Sequence, residues 1–207
     1  GVAATARLKE RLGRCAKPVV LCLLGAESPR GRDGGQGGIP QASTIDEAVA
    51  LALAAAETAG AAGTAVAAGA AEVRPQPLDR ELSRMGPGQR YVRGLFAGGS
   101  FCYQAQALFH EAGLVVHSNS PIHGMFELED PRKSRGDALV DMGAEIFVEG
   151  RPHPMIDATL RRKRLEEEGA DPSVALILLD FILGSISSRD PTGDLAETIR
   201  RIRETAR

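Results

Sequence analysis

An α/β fold, with parallel sheets flanked by helices, is the expectation for this chain, and three features of the sequence set it. Continuous apolar runs such as Pro18-Val-Val-Leu-Cys-Leu-Leu-Gly25 and Val174-Ala-Leu-Ile-Leu-Leu179 are too short for helices and suit strands buried on both faces. Several of these runs end in a glycine-containing or polar turn that leads into a segment of helical character, which is the grammar of βαβ units. Aromatic residues make up only 4% of the chain and Trp is absent, so the core is built from Ala, Val, Leu and Ile. The 207 residues carry 27 acidic and 25 basic side chains, a formal net charge of −2, so no electrostatic excess points to nucleic acid or to a membrane surface.

In chain order, residues 2–14 read as a weak amphipathic helix stopped by Gly13, and the apolar run at 18–25 as a first buried strand. Residues 26–41, rich in Gly, Pro, Ser and Arg, read as a loop. Thr44-Ile-Asp-Glu47 is a capping-box pattern that starts an Ala/Leu helix running to about Ala59. A stretch rich in Ala and Gly and then in Pro follows without a sustained period, so the chain divides into an incomplete first module at 1–62, a linker at 63–89 and a second module at 90–207. In the second module, Tyr91-Val-Arg-Gly-Leu-Phe-Ala97 reads as a strand, Gly98-Gly99-Ser100 as a turn, and 101–111 as a helix with Cys102, Ala105, Leu108 and Phe109 on its apolar face. Leu114-Val-Val-His117 reads as a short strand, 118–135 as irregular, and Glu145-Ile-Phe-Val148 as a third strand. A charged helix at 158–168, a fourth strand at 174–181 and an amphipathic helix at 194–203 complete a doubly wound sheet, with ligands expected at the carboxyl ends of its strands.

Some of these residues resemble a known family. Lys17-Pro-Val-Val20, the apolar strand after it, Gly25 and the Gly/Arg loop are similar to the opening of the first ligase domain of succinyl-CoA synthetase-like proteins. More specifically, Val148-Glu-Gly-Arg-Pro-His-Pro-Met-Ile-Asp157, then Leu160-Arg161, Ala175-Leu-Ile-Leu-Leu-Asp180 and Gly184, together with 91–103, resemble the FdrA branch of that superfamily. That branch is named acyl-CoA synthetase-like and is linked to the oxamate carbamoyltransferase of allantoin degradation. The likeness runs in order from Lys17 to about Leu195. It implies two flavodoxin-like ligase modules, transfer of an acyl or carbamoyl group, CoA or carbamoyl phosphate as substrate, and assembly into a homo- or hetero-oligomer. Members of the family carry a Rossmann-like CoA-binding-type domain before this region and further sequence after it. With no Met at its start, the chain is therefore expected to be a processed product or a piece of a longer protein. Nucleotide-dependent members carry a Gly-His-Ala-Gly-type phosphohistidine loop after the first strand, whereas Glu27-Ser-Pro-Arg-Gly-Arg-Asp-Gly-Gly-Gln-Gly-Gly38 holds no His. Direct transfer, without a phosphohistidine, is the expectation.

The candidate site centres on the loop from Gly150 to Asp157, where Arg151 and His153 precede a helix. Free backbone N–H groups and the helix dipole there favour an anion, Arg151 could bind it bidentately, and His153 could act as a general acid. The alternative is structural: Pro152 and Pro154 stiffen a turn, Asp157 caps the helix, and Arg151 forms a surface ion pair. Gly98, Gly99 and Ser100 form a second candidate for anion binding, with plain capping by Ser100 as its alternative. The glycine loop 31–38 with Arg30 and Arg32 is a third, matching no nucleotide-binding pattern. Asn119, between His117 and His123, lies at the predicted ligand edge and is a further substrate-binding candidate.

Among the remaining polar and reactive groups, Cys22 and Cys102 read as small core residues rather than catalytic thiols, and His110 as surface or packing. Three cysteines without CxxC or Cys/His spacing argue against a disulfide framework and a metal site. The run Arg161-Arg-Lys-Arg164, followed by Glu166-Glu-Glu168, reads as a solvated helix face. The absence of a signal peptide pattern and of an apolar membrane span predicts a cytoplasmic protein. A noncatalytic assembly module, packing the small-residue helix 44–59 on a partner, is the alternative to an enzyme.

Overall fold

The computed structural model describes residues 19–24, 39–58 and 85–205. The expected helix at 2–14, the glycine loop at 31–38, Cys15 and most of the linker lie outside these residues. By its internal contacts the chain divides into two units, Gly1–Arg80 and Glu81–Arg207.

In the first unit, β1 (Leu21–Cys22) pairs in parallel with β2 (Gln41–Ala42), and α1 (Ile45–Thr58) follows. Its start is set as the capping box predicts: the Glu47 amide donates to Thr44 Oγ1 at 3.2 Å. The Glu47 carboxylate in turn accepts from the Ser43 amide at 2.9 Å, so two otherwise orphaned donors are satisfied.

The second unit holds β3 (Tyr91–Phe96), α2 (Gly99–Glu111), β4 (His117–Ser118), β5 (Phe126–Glu127), β6 (Ala138–Asp141), the helical turn α3 (Glu145–Val148), α4 (Thr159–Ala170), β7 (Val174–Leu179) and α5 (Gly193–Thr205). The strands form one parallel sheet in the order β5-β4-β6-β3-β7. Both faces of its centre are buried, and the two-residue pleat period assigns each side chain to a face. Leu95 and Val140 enter a core with Met142, Phe147, Leu165 and Leu195, while Phe96 and Leu139 enter another with Cys102 and Val116.

The topology fixes where a ligand can sit. From β3 the chain crosses by α2 to β4, on the far side of β6, and from β6 it crosses by α3 and α4 to β7, on the far side of β3. Neighbouring strands β3 and β6 thus send their connections in opposite directions, which opens a crevice at their carboxyl ends.

Five expectations are corrected. The two apolar runs expected as strands buried on both faces are less buried: among the described residues of the first, only Leu21–Cys22 is strand and only Leu21 is buried, and β7 lies at the end of its sheet with Val174 alone buried and Leu176 51% exposed. The segment Glu145–Val148 is a helical turn rather than a strand, with only Phe147 buried, and the central strand is Ala138–Asp141, buried at every position. The strand expected at 114–117 begins only at His117, because Leu114 and Val115 are exposed at 53% and 49% and Val116 alone turns inward. On α2, Leu108 faces solvent while Gln106 is fully buried, clamping the next connection by donating to the Ser120 carbonyl at 3.2 Å and accepting from the Ile122 amide at 3.1 Å. Finally, the basic run on α4 is not a solvated face: Arg161 and Arg164 are buried. At an α-helical 3.6 residues per turn those two point to the sheet while Arg162 and Lys163 remain outside.

Candidate functional site

The carboxyl edge of the sheet gathers the polar groups of the second unit. β3 ends in Ala97, Gly98 and the first residue of α2, Gly99, and Gly98 is extended, with no side chain capping the helix. Ser100 stands inside the first turn and is exposed, so it does not cap α2. A Cβ built on Gly98 would meet nothing within 4 Å, so the space beside these free amides is open.

β6 ends in Asp141, a residue the sequence reading passed over. Its backbone is gripped by Asn119, whose Nδ2 donates to the Asp141 carbonyl at 2.9 Å and whose Oδ1 accepts the Asp141 amide at 2.8 Å. Asn119 thereby joins β4 to β6 at this edge and holds the next turn in place. Asp141 is 7% exposed; its Oδ1 accepts the Gly143 amide at 2.8 Å. Its Oδ2 lies toward α2, 3.1 Å from where a Cβ on Gly99 would stand. Burial pushes this carboxyl above the ordinary carboxylate range and the nearby Asp180 adds to the push, against the opposing pull of the Gly143 amide and His153.

His153 reaches the same edge from the loop after α3. A Cβ on Gly143 would stand 2.8 Å from His153 Nε2 and 2.7 Å from the Ala97 carbonyl oxygen, so glycine is what lets the imidazole approach this turn. His153 Nδ1 accepts the Met155 amide at 3.3 Å, which leaves the proton of the neutral ring on Nε2, facing the crevice. The loop is braced at Gly150, whose φ of 68° belongs to the left-handed region, and by the Ser188 amide donating to the Met155 carbonyl at 2.8 Å.

β7 ends in Asp180, whose Oδ1 accepts the Ala97 amide at 2.8 Å and pairs with Arg161 at 2.8 Å; the two side chains are 9% and 5% exposed. Arg161 also donates to the carbonyls of Leu95 and Asp180, which ties α4 to β3 and β7. Asp180 Oδ2 is buried without a hydrogen-bond partner among the described residues.

Of the residues expected to form the site, the structure brings Gly98, Gly99, Asn119 and His153 to one edge. Gly150 and Arg151 are exposed on the outer side of the loop. Asp157 serves the helix instead: its Oδ1 accepts the Thr159 amide at 2.8 Å and hydroxyl at 2.6 Å, so a protein carboxylate already occupies the amino end of α4. At α2, by contrast, no side chain is hydrogen-bonded as a cap. Asp141 and Asp180 share a signal that could have found them, an apolar run ending in Asp, as in Ala138-Leu-Val-Asp141 and Leu176-Ile-Leu-Leu-Asp180.

Cys102 is fully buried one turn into α2, and burial pushes its thiol up to about 12, which fits a core residue. His110 is exposed, and His117 stacks near Phe126, its ring centroid 5.5 Å from that of Phe126, and not at the crevice. Among the described residues no group of three or more His, Cys, Asp and Glu is placed to hold a metal, and no helix is long and apolar enough to cross a membrane.

A parallel sheet flanked by helices, with polar groups at the switch between two strands, makes this unit an α/β domain. Residues 95–206 match the model of the CoA-ligase family, and the chain belongs to that family. It is also similar to the uncharacterized protein YahF of Escherichia coli (strain K12), at 36% identity over 202 residues, covering 97% of this chain and 37% of that relative. The chain thus spans little more than a third of the length of this relative.

Proposed function

We propose that this chain is part of an acyl-CoA synthetase-like protein of the FdrA type, and that it transfers an acyl or carbamoyl group whose phosphate or carboxylate end binds at the carboxyl edge of the second unit. One observation carries the reading: within the stretch matched by the CoA-ligase family, Gly98, Gly99, Asp141 and His153 converge where the connections leaving β3 and β6 part. The free amides of α2 would hold the anion, and His153 Nε2–H would donate to a polarised carbonyl or a departing phosphate oxygen. CoA or carbamoyl phosphate is the proposed substrate, the latter placing the protein as a subunit of an oxamate carbamoyltransferase. The remaining domains would come from a longer chain or from partner subunits in an oligomer.

A phosphohistidine is no part of this reading. The loop 27–38 has no His, and His153 has Nδ1 engaged by an amide. Incubation with γ-labelled ATP or GTP should leave the protein unlabelled, and label recovered on any histidine would restore a ligase with a phosphoryl relay.

The binding reading is tested by titrating carbamoyl phosphate and CoA into the wild type, His153→Ala, Arg151→Ala and Arg151→Lys, with melting curves alongside. His153→Ala should weaken carbamoyl phosphate by roughly tenfold, the loss of a hydrogen bond to a charged group, with little change in melting. If Arg151 swings over the bound anion, Lys should fail to replace its planar fork. Unchanged affinity with a lowered melting midpoint would make the loop scaffolding.

A further inference from the structure

The amino end of α2 presents a contradiction in charge. Its uncapped amides favour an anion, yet Asp141 Oδ2 lies beside Gly99 at the same place, and Asp180 stands close enough to raise the Asp141 carboxyl. Two carboxylates and a bound dianion side by side at this edge would repel one another.

The surrounding groups show which carboxyl can yield. Asp180 is paired with Arg161 from α4 and holds the Ala97 amide, so its charge is compensated. Asp141 has no Arg or Lys partner among the described residues. The titratable groups around it are His153 from the loop after α3, Asp180 from the end of β7 and, from α2, Cys102 and Tyr103, whose ring stands beside Gly99 together with Asp141 Oδ2. Its Oδ1 is committed to the Gly143 amide and its backbone to Asn119, so the Oδ2 side is the one that can change protonation without moving the turn.

We propose that Asp141 takes up a proton when an anion binds at the amino end of α2, donates from Oδ2 to that anion, and is the acid that protonates a departing phosphate, with Asn119 as its positioning residue. This rests on the acyl or carbamoyl transfer reading above and names its acid. In the transfer step the C–O bond of an acyl or carbamoyl phosphate breaks, its electron pair staying on the phosphate oxygen. The Asp141 proton passes to that oxygen. The carbonyl carbon is taken by a thiol or amide nucleophile, whose own proton returns to the Asp141 carboxylate. The raised affinity of this carboxyl for a proton, caused by its burial, suits the role.

Sulfate, which keeps its charge between pH 4.5 and 8, is the probe. Calorimetric titration in two buffers of different ionisation enthalpy reads proton uptake directly. In the wild type, sulfate affinity should rise as pH falls, by up to about tenfold per pH unit for one linked proton, with uptake approaching one proton near neutral pH. Asp141→Asn keeps an acceptor for Gly143 and removes the charge, so it should bind sulfate about tenfold more tightly at pH 7.5 and lose the uptake. His153→Gln should retain the uptake, which separates Asp141 from a titrating imidazole. Uptake that survives in Asp141→Asn, or is lost in His153→Gln, overturns the proposal. Sulfate binding that is independent of pH overturns it alone, whereas no binding at any pH in wild type and Asp141→Asn overturns the site reading with it.

Discussion

The two edges of the same sheet both bury charge, and they do it differently. At the amino edge, Glu168 on α4 accepts from Arg93 Nε at 2.9 Å, from Arg164 Nε at 2.7 Å and from the Ser134 hydroxyl, while Asp171 takes a second contact from Arg93 at 3.5 Å. Acid and base alternate there, two of each, and the side chains of Arg93, Glu168 and Arg164 are 3%, 7% and 5% exposed. At the carboxyl edge, Asp141 and Asp180 face one arginine and one imidazole, and one buried oxygen of Asp180 has no partner among the described residues. Each edge keeps buried polar atoms without a partner among the described residues, Arg93 Nη1 at the amino edge and Asp180 Oδ2 at the carboxyl edge, so the two differ in charge pairing: the amino edge sets its acids against arginines, and the carboxyl edge leaves Asp141 without one. The difference teaches that burial of charge alone does not mark a site: a buried charge without a counter-charge does. A cleft between α4 and α5, lined by Glu166, Arg201 and Ile202, makes the same point, since it holds an Arg201–Glu166 ion pair and none of the groups of the carboxyl edge.

The largest effect should come from breaking the charge-paired network of the amino edge. Glu168→Ala would strand two buried guanidinium groups, and removing one partner of such a pair costs about 3–5 kcal/mol. Urea unfolding should show a loss of that size. Glu168→Gln, which keeps acceptors but not the charge, should lose less. A loss under 1 kcal/mol for Glu168→Ala would mean that charge pairing matters as little at the amino edge as at the carboxyl edge, and the contrast between them would fail.

Gly143→Ala strikes the carboxyl edge and should be intermediate. The new methyl would collide with the Ala97 carbonyl at 2.7 Å and with His153 Nε2 at 2.8 Å, and the first of these is backbone, which cannot rotate away. Overpacking of this kind costs about 1–3 kcal/mol. Sulfate or carbamoyl phosphate affinity should fall at least tenfold, because the turn that presents Asp141 and the imidazole would move together. Binding that survives intact would place the ligand elsewhere than the crevice between β3 and β6.

Much of the fold was legible because period and turn chemistry agree over long segments. The strand at 91–96, the helix after it, the capping box at Thr44 and the closing helix at 193–205 all follow from local signals. The central strand did not, for physical reasons. Ala138-Leu-Val-Asp141 is four residues long, and its burial comes from neighbours on both sides of the sheet, which no local pattern encodes. Glu145-Ile-Phe-Val148, rich in β-branched and aromatic side chains, mimicked it, but it forms a helical turn, with only Phe147 reaching the core. Misplacing that strand hid Asp141, since an acid inside an apolar stretch reads as a turn until the next residues are seen to cross the sheet edge. His153 was legible because its loop sets an imidazole and an arginine just ahead of a helix, but the partners that give it a direction, Gly143 and the Met155 amide, come only with the fold. The burial of Arg161 and Arg164 was likewise invisible, because their partners Asp180 and Glu168 lie on another element and one turn away.

The smallest effect, and the sharpest on where the anion sits, belongs to Asp157. This exposed carboxylate holds the amide and hydroxyl of Thr159 and so fills the amino end of α4, while the amino end of α2 has no side-chain cap. Asp157→Ala should cost about 1 kcal/mol, the usual price of a lost cap, and leave sulfate affinity unchanged. The pH dependence has a definite sign. The Thr159 hydroxyl and amide hold the Asp157 carboxyl below the ordinary carboxylate range, so its contribution to stability is present above the unfolded value and disappears as pH falls through the folded one. Asp141, displaced upward by burial, has the opposite sign: its contribution to stability is present at low pH and is lost as pH rises through its folded value. Melting curves from pH 3 to 7 should therefore show Asp157→Ala converging on the wild type at the acid end, while Asp141→Asn gains on it toward neutrality. If removing Asp157 strengthens sulfate binding instead, the cap has been competing with the ligand, and the site lies at α4 with Arg151 beside it rather than at α2.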